Sequence, residues 1–149
     1  MSGVLNKKHI AEYIYDFAVD GGANGTAISL HAKNGKAVIP VGAIITNCVA
    51  KVVTACTSAG SATVAWGNGD NADGYSGTTI AVGSLTDNAV FSPGVQGSEA
   101  LLWDDSNDHN IMYPVTTAAQ GQVKLLISTA DLTAGKIVIV FEYLLPTVV

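Results

Sequence analysis

Not one of the 149 residues is an arginine, and charged side chains make up only 13% of the chain. An average soluble domain carries roughly 25%. All seven basic residues are lysines, set against twelve acids, for a net charge of −5. Arginine's planar fork is the usual device for gripping phosphate and guanine. Its absence from an acidic chain argues against nucleic acid as a partner. No apolar run approaches the ~20 residues of a spanning helix, and no basic amphipathic stretch suggests a membrane surface. The opening residues MSGVLNKKHIAEY lack a continuous apolar core and a small-residue cleavage site, so no signal peptide is expected. The sequon Asn24-Gly25-Thr26 is then not expected to be glycosylated.

Cysteine is scarce too. Cys48 and Cys56 are the only two, eight positions apart. On one strand they would lie roughly 26 Å apart at ~3.3 Å per residue, whereas a disulfide needs Cα atoms within about 7 Å. Free thiols are expected, which fits folding in a reducing cytoplasm.

Glycine, serine, threonine and asparagine stand where charge is missing, while the hydrophobic share of 48% is ordinary. A weakly charged surface suits a protein packed against neighbours; a plain β-sandwich with polar loops fits equally. At this length one domain is expected, burying roughly two thirds of its unfolded surface.

The longest strand-forming run is Ala43–Cys56, AIITNCVAKVVTAC, without glycine or proline. A period of two puts Ile44, Thr46, Cys48, Ala50, Val52, Thr54 and Cys56 on one face, the expected core side. Ile45, Asn47, Val49, Lys51, Val53 and Ala55 form the wetter face.

Around this run, residues 1–12 read as a polar, locally basic arm and 13–149 as a single domain. Aromatic and β-branched residues favour a strand over Tyr13–Val19, although Ile10, Tyr13, Ile14 and Phe17 also fit one face of a short helix. Lys33-Asn34-Gly35 between Thr26–Ala32 and Lys36–Val41 signals a hairpin. Further strands are expected at Ser61–Trp66, Thr78–Val82, Ile111–Thr116, Gln122–Ser128 and Lys136–Leu145, with Asp131–Gly135 as the last turn. Gly83–Asn110 is a long irregular excursion holding Phe91, Trp103 and the acidic run 104–108. Eight or nine short strands with turns about every ten residues predict an all-β antiparallel sandwich of jelly-roll type.

Sites for chemistry are thin. Asp104-x-Ser106-x-Asp108 alternates oxygen ligands as a calcium loop does, but His109 replaces the glycine and no glutamate follows. Asn68-x-Asp70 with Asp73-Gly74 is similarly incomplete. His9, His31 and His109 have no ligand company in sequence, and no metal or cofactor is expected. Gly74-Tyr75-Ser76-Gly77 falls one residue short of a nucleophile elbow and precedes no helix. Nine aspartates and three glutamates could meet in space as a glycosidase-type carboxylate pair, but Glu99 and Asp104 fall on the irregular excursion and Glu142 on an expected strand beside Tyr143. An enzyme is not expected.

Five patches in order look familiar: YDFAVDGGANGT at Tyr15–Thr26, Ile39-Pro40-x-Gly42-Ala43-x-Ile45, Thr57-Ser58-x-Gly60-Ser61-Ala62-Thr63-Val64, Asn71-Ala72-Asp73-Gly74, and Thr133-Ala134-Gly135-Lys136-Ile137 leading into Phe141-Glu142-Tyr143. Together they resemble the small capsid decoration (cement) proteins of tailed bacteriophages, which are jelly-roll subunits. The resemblance spans most of the chain outside Gly83–Asn110. It implies a non-enzymatic homotrimer on the capsid surface that clamps neighbouring major capsid proteins, made in the host cytoplasm. Under that reading Ile137, Ile139, Phe141 and Tyr143, beside Val138, Val140 and Leu144, are expected at a trimer interface. Lys7, Lys8, His9, Ile10 and Tyr13 are the candidate capsid contacts, with the arm adding a strand to a sheet edge. A rival reading is a carbohydrate- or receptor-binding module of a phage head or tail fibre, with Tyr75, Phe91 and Trp103 as stacking platforms.

Overall fold

Antiparallel pairing between two long strands sets the architecture. The computed structural model describes residues 8–34, 38–92 and 113–146. Strand β4 (Ile44–Ser58) pairs along almost its whole length with β10 (Leu132–Leu144). β1 (Lys8–Asp16) flanks β10 on the other side, from Lys8 opposite Leu144 to Asp16 opposite Lys136. β3 (His31–Asn34) pairs with β1, while β7 (Val90–Phe91) and β8 (Tyr113–Pro114) pair with β4. The second sheet runs β2 (Ile28–Ser29), β9 (Lys124–Ser128), β5 (Thr63–Gly67), β6 (Ile80–Ala81). Both sheets are antiparallel throughout, so the predicted all-β sandwich is what forms.

The core lies between the sheets. Tyr13, Tyr15, Ile137, Ile139 and Phe141 from the first sheet meet Val64, Trp66, Leu125 and Ile127 from the second, all at 2% exposure or less. Phe141 is its centre. Its ring meets Tyr75 edge-on at 4.9 Å and Tyr13 at 5.7 Å.

Several local expectations give way to tertiary pairing. The boundary of the predicted arm shifts, because Lys8–Glu12 already belong to β1; residues 1–7 lie outside the described residues. Where a strand was expected to run on to Val19, Asp16 instead caps a helical turn, α1 (Phe17–Asp20), its carboxylate accepting from the Ala18 amide at 3.0 Å. Of the expected Asn34-Gly35 hairpin, residues 35–37 lie outside the described residues; β3 pairs with β1, and Val38–Gly42 is loop, with the Ile39 amide donating to the Gly121 carbonyl. The last turn comes earlier, at Thr129–Asp131, and Leu132–Gly135 are already strand.

The long run over Ala43–Cys56 is a strand, with one correction. Cys48, Ala50, Val52 and Cys56 are buried as expected, but so is Ile45, while Ile44 and Thr46 are only half-buried. Tyr143 opposes Ile45 and Glu142 opposes Asn47, so Thr46 is an extra residue that flips the alternation. A second shift leaves Val53 exposed and Thr54 opposite Lys136.

Candidate interaction surfaces

Alternation along β1 decides the fate of the five candidate contacts. Lys8 and Ile10 point outward, Ile10 at 54% exposure, whereas Tyr13 is wholly buried. His9 is half-buried and stacks on Tyr143 at 5.1 Å with the rings 14° apart. Lys7 lies outside the described residues. The five residues therefore do not make one patch: Lys8 and Ile10 belong to the surface, Tyr13 to the core. Burial strips water from the Tyr13 phenol and raises its pKa to about 12.

What the sequence left unmarked is the sheet face to which Lys8 and Ile10 belong. Cross-strand pairing places Ile14 opposite Val138 and Glu12 opposite Val140, then Val140 opposite Val49 and Leu144 opposite Ile44. These apolar residues are half-buried: Ile14, Val49, Val138 and Val140 form a small outward stripe on the central strands, flanked by exposed Lys51 opposite Val138 and divided from Ile44 and Leu144 by Glu142 and Asn47. Ion pairs border it: Lys136 to Asp16 at 2.9 Å, Lys8 to Glu142 at 3.6 Å and Lys33 to Glu12 at 3.8 Å. The Lys136 ammonium, hydrogen-bonded to Asp16, is the main reason that carboxyl sits below the usual aspartate range; the Ala18 amide adds to it. Strands hidden on both sides read as continuous apolar runs, and β10, IVIVF, reads that way, so the stripe was visible only as general hydrophobicity.

Four of the seven residues expected at a trimer interface turn inward. Ile137, Ile139, Phe141 and Tyr143 face the subunit's own core at 7% exposure or less, and so are already used within one chain. Val138, Val140 and Leu144 are on the outside.

The chemical candidates among the described residues have structural partners. The Asn68 side chain accepts from the Asp70 and Asn71 amides at 2.9 Å, closing a turn of the 67–77 loop. Ser76 Oγ donates to the Thr78 carbonyl at 2.8 Å and accepts from the Trp66 amide, pinning that loop to β5. His31 lies 3.4 Å from Asp20, and Glu142 is engaged with Lys8. Among the described residues no group of three histidine, cysteine or acidic side chains is placed to hold a metal. Glu99, Asp104, the 104–108 run and His109 lie outside the described residues. Tyr75 and Phe91, expected as exposed platforms, are 2% and 5% exposed. Tyr75 instead packs on Phe141 and donates to the Gln120 carbonyl at 3.0 Å, and Phe91 packs on Trp66. Trp103 lies outside the described residues. Both cysteines are free and buried, and burial raises the Cys56 thiol to about 11 and Cys48 further.

A chain in the cyanophage Pam1 capsid asymmetric unit superposes with a TM-score of 0.61 over 97% of this chain and 89% of its own, at 16% identity. A chain in the acidic stable capsid structure of Helicobacter pylori bacteriophage KHP30 gives 0.58 over 95% and 90%, at 17% identity. The fold is shared with chains from two phage capsid structures. No protein-family model matches the sequence, and no curated protein does. Identity this low carries the fold and not the residues, so no contact is transferred from either neighbour.

Proposed function

We propose that this chain is a structural virion protein that binds the outer surface of a phage capsid as a homotrimer and stabilises contacts between major capsid proteins, without catalysis. The observation that supports this most is the nearly end-to-end fold match to chains of two phage capsid structures. Strand order adds to it. One sheet runs β1-β10-β4-β7 and the other β2-β9-β5-β6; we read this interleaving of early and late strands as a jelly roll, with β3 as an added edge. The outward stripe of Ile14, Val49, Val138 and Val140 offers apolar surface for subunit or coat contacts. Many copies with weak individual contacts would brace a shell through effective concentration. The fibre reading loses two of its three platforms, because the Tyr75 and Phe91 rings are packed in the core; Trp103 lies outside the described residues.

Sedimentation equilibrium on the purified protein tests the oligomer: a trimer is expected, and a monomer at every concentration would refute it. Mass spectrometry of purified particles tests the location, with this chain expected at a fixed ratio to the major coat protein.

A further inference from the structure

Two of the chain's three Asn-Gly steps fall within the described residues, Asn24-Gly25 and Asn68-Gly69. The third, Asn34-Gly35, ends on a glycine outside them. Such a step rearranges without an enzyme, because glycine has no side chain to screen its nitrogen from the asparagine carboxamide. The glycine nitrogen bonds to Cγ, and its proton leaves with Nδ2 as ammonia. One water then opens the resulting succinimide at either carbonyl, giving aspartate or isoaspartate. The reaction needs a free glycine N–H, a carboxamide able to swing toward it, and water.

At Asn68 the fold withholds each of these. The Gly69 amide donates to the Ala119 carbonyl at 2.9 Å, and the Asn68 side chain accepts from the Asp70 and Asn71 amides. The residue is 3% exposed, and a Cβ on Gly69 would already lie 2.7 Å from the Gln122 side chain. Only wide unfolding of the 67–77 loop frees it. Asn24 is held more lightly. Asp131 accepts from the Asn24 backbone amide at 2.9 Å and from its carboxamide nitrogen, and in that order these donors hold the Asp131 carboxyl below the usual range. The Gly25 amide donates to the Ile127 carbonyl at 2.8 Å. Yet Asn24, Gly25 and Thr26 are exposed, and β2, the strand they lead into, is two residues long at the edge of its sheet. Such an end opens locally at far less free energy than the whole fold. The product cannot close again as before. Aspartate at this position sets a second carboxylate against Asp131, and isoaspartate inserts a backbone carbon that shifts Gly25 away from Ile127.

We propose that Asn24-Gly25 is a latent deamidation site, closed by Asp131 and Ile127, whose conversion permanently releases residues 24–26 from the β9–β10 turn. This chemistry is independent of the virion reading, since it needs only that corner of the molecule and water.

The test incubates the purified full chain at mildly alkaline pH, native and in urea, and follows both asparagines by peptide mass spectrometry. In the native chain Asn24 should convert about tenfold more slowly than in urea, and Asn68 more slowly again. Asp131→Ala spares the Asp131 carbonyl that Ser58 binds. It should speed Asn24 about fivefold and leave Asn68 unchanged. Asn24→Asp, which builds the product directly, should speed hydrogen exchange at the Gly25 amide about tenfold while β4 and β10 stay protected. No native conversion at Asn24, conversion at the urea rate, or Asn68 converting as fast as Asn24 would each overturn the proposal. So would Asp131→Ala acting on neither site or on both, or unchanged Gly25 exchange in Asn24→Asp.

Discussion

Gly135 sits where β10 crosses the end of β4, with φ at +147°. A Cβ there would lie 2.5 Å from the Cys56 sulfur and 3.3 Å from its Cβ, so two penalties combine. Gly135→Ala should cost about 2 kcal/mol or more in chemical denaturation. Adding Cys56→Ala should recover only the steric part, because the backbone strain stays. Asp16 supplies a second test at this scale. Its carboxyl is held below the ordinary value of about 3.9 by Lys136 and the Ala18 amide. A depressed carboxylate stabilises the fold above the unfolded-state pKa, and loses that effect as pH falls through the folded-state pKa. Asp16→Asn should therefore lower the melting temperature at neutral pH. The gap from the parent should close in acid below the usual aspartate range, and a gap independent of pH would contradict the assignment.

At the level of elements, β1 revises how the N-terminus can be probed. Lys8–Glu12 form part of the β1–β10 ladder, and Ala11 is 2% exposed. Deleting residues 1–12 should cost on the order of 3 kcal/mol, from several ladder hydrogen bonds at about 1 kcal/mol each. Such a deletion would confound attachment with stability, whereas deleting residues 1–7 leaves β1 whole. The outward stripe is tested by Val140→Asp. The change removes a β-branched residue from a central strand and sets a carboxylate directly opposite Glu12, so it should cost about 1–2 kcal/mol, while self-association or shell binding of the folded variant weakens at least tenfold. Unchanged association would remove the stripe from the interface. The β4 run shows why such faces were only partly legible. Its strand character and the burial of Cys48 and Val52 follow from period-two patterning, but the bulge at Thr46 depends on β10 and leaves no local signature. The same holds for Tyr75 and Phe91: loop composition made them look exposed, and only the packing of the 67–77 loop onto Phe141 and of β7 onto Trp66 buries them.

For the whole molecule, the all-β class was readable because turn residues recur between short apolar runs. Sheet membership was not, since β2 and β3 are adjacent in sequence yet join different sheets. Which lysines lie on one face was equally hidden. Lys8, Lys33 and Lys136 come together around the stripe only through pairing in the first sheet. The molecule thereby sets charge, Lys51 and Glu12 included, against a small outward apolar surface and carries further acids elsewhere, as at Asp70, Asp87 and Asp131, an arrangement suited to packing in an assembly. That surface is put to use most directly by co-sedimentation of the purified chain with empty shells of the major coat protein. Saturable pelleting at a fixed number of copies per shell is the predicted result. A chain that stays in the supernatant at every concentration would contradict a role on the capsid.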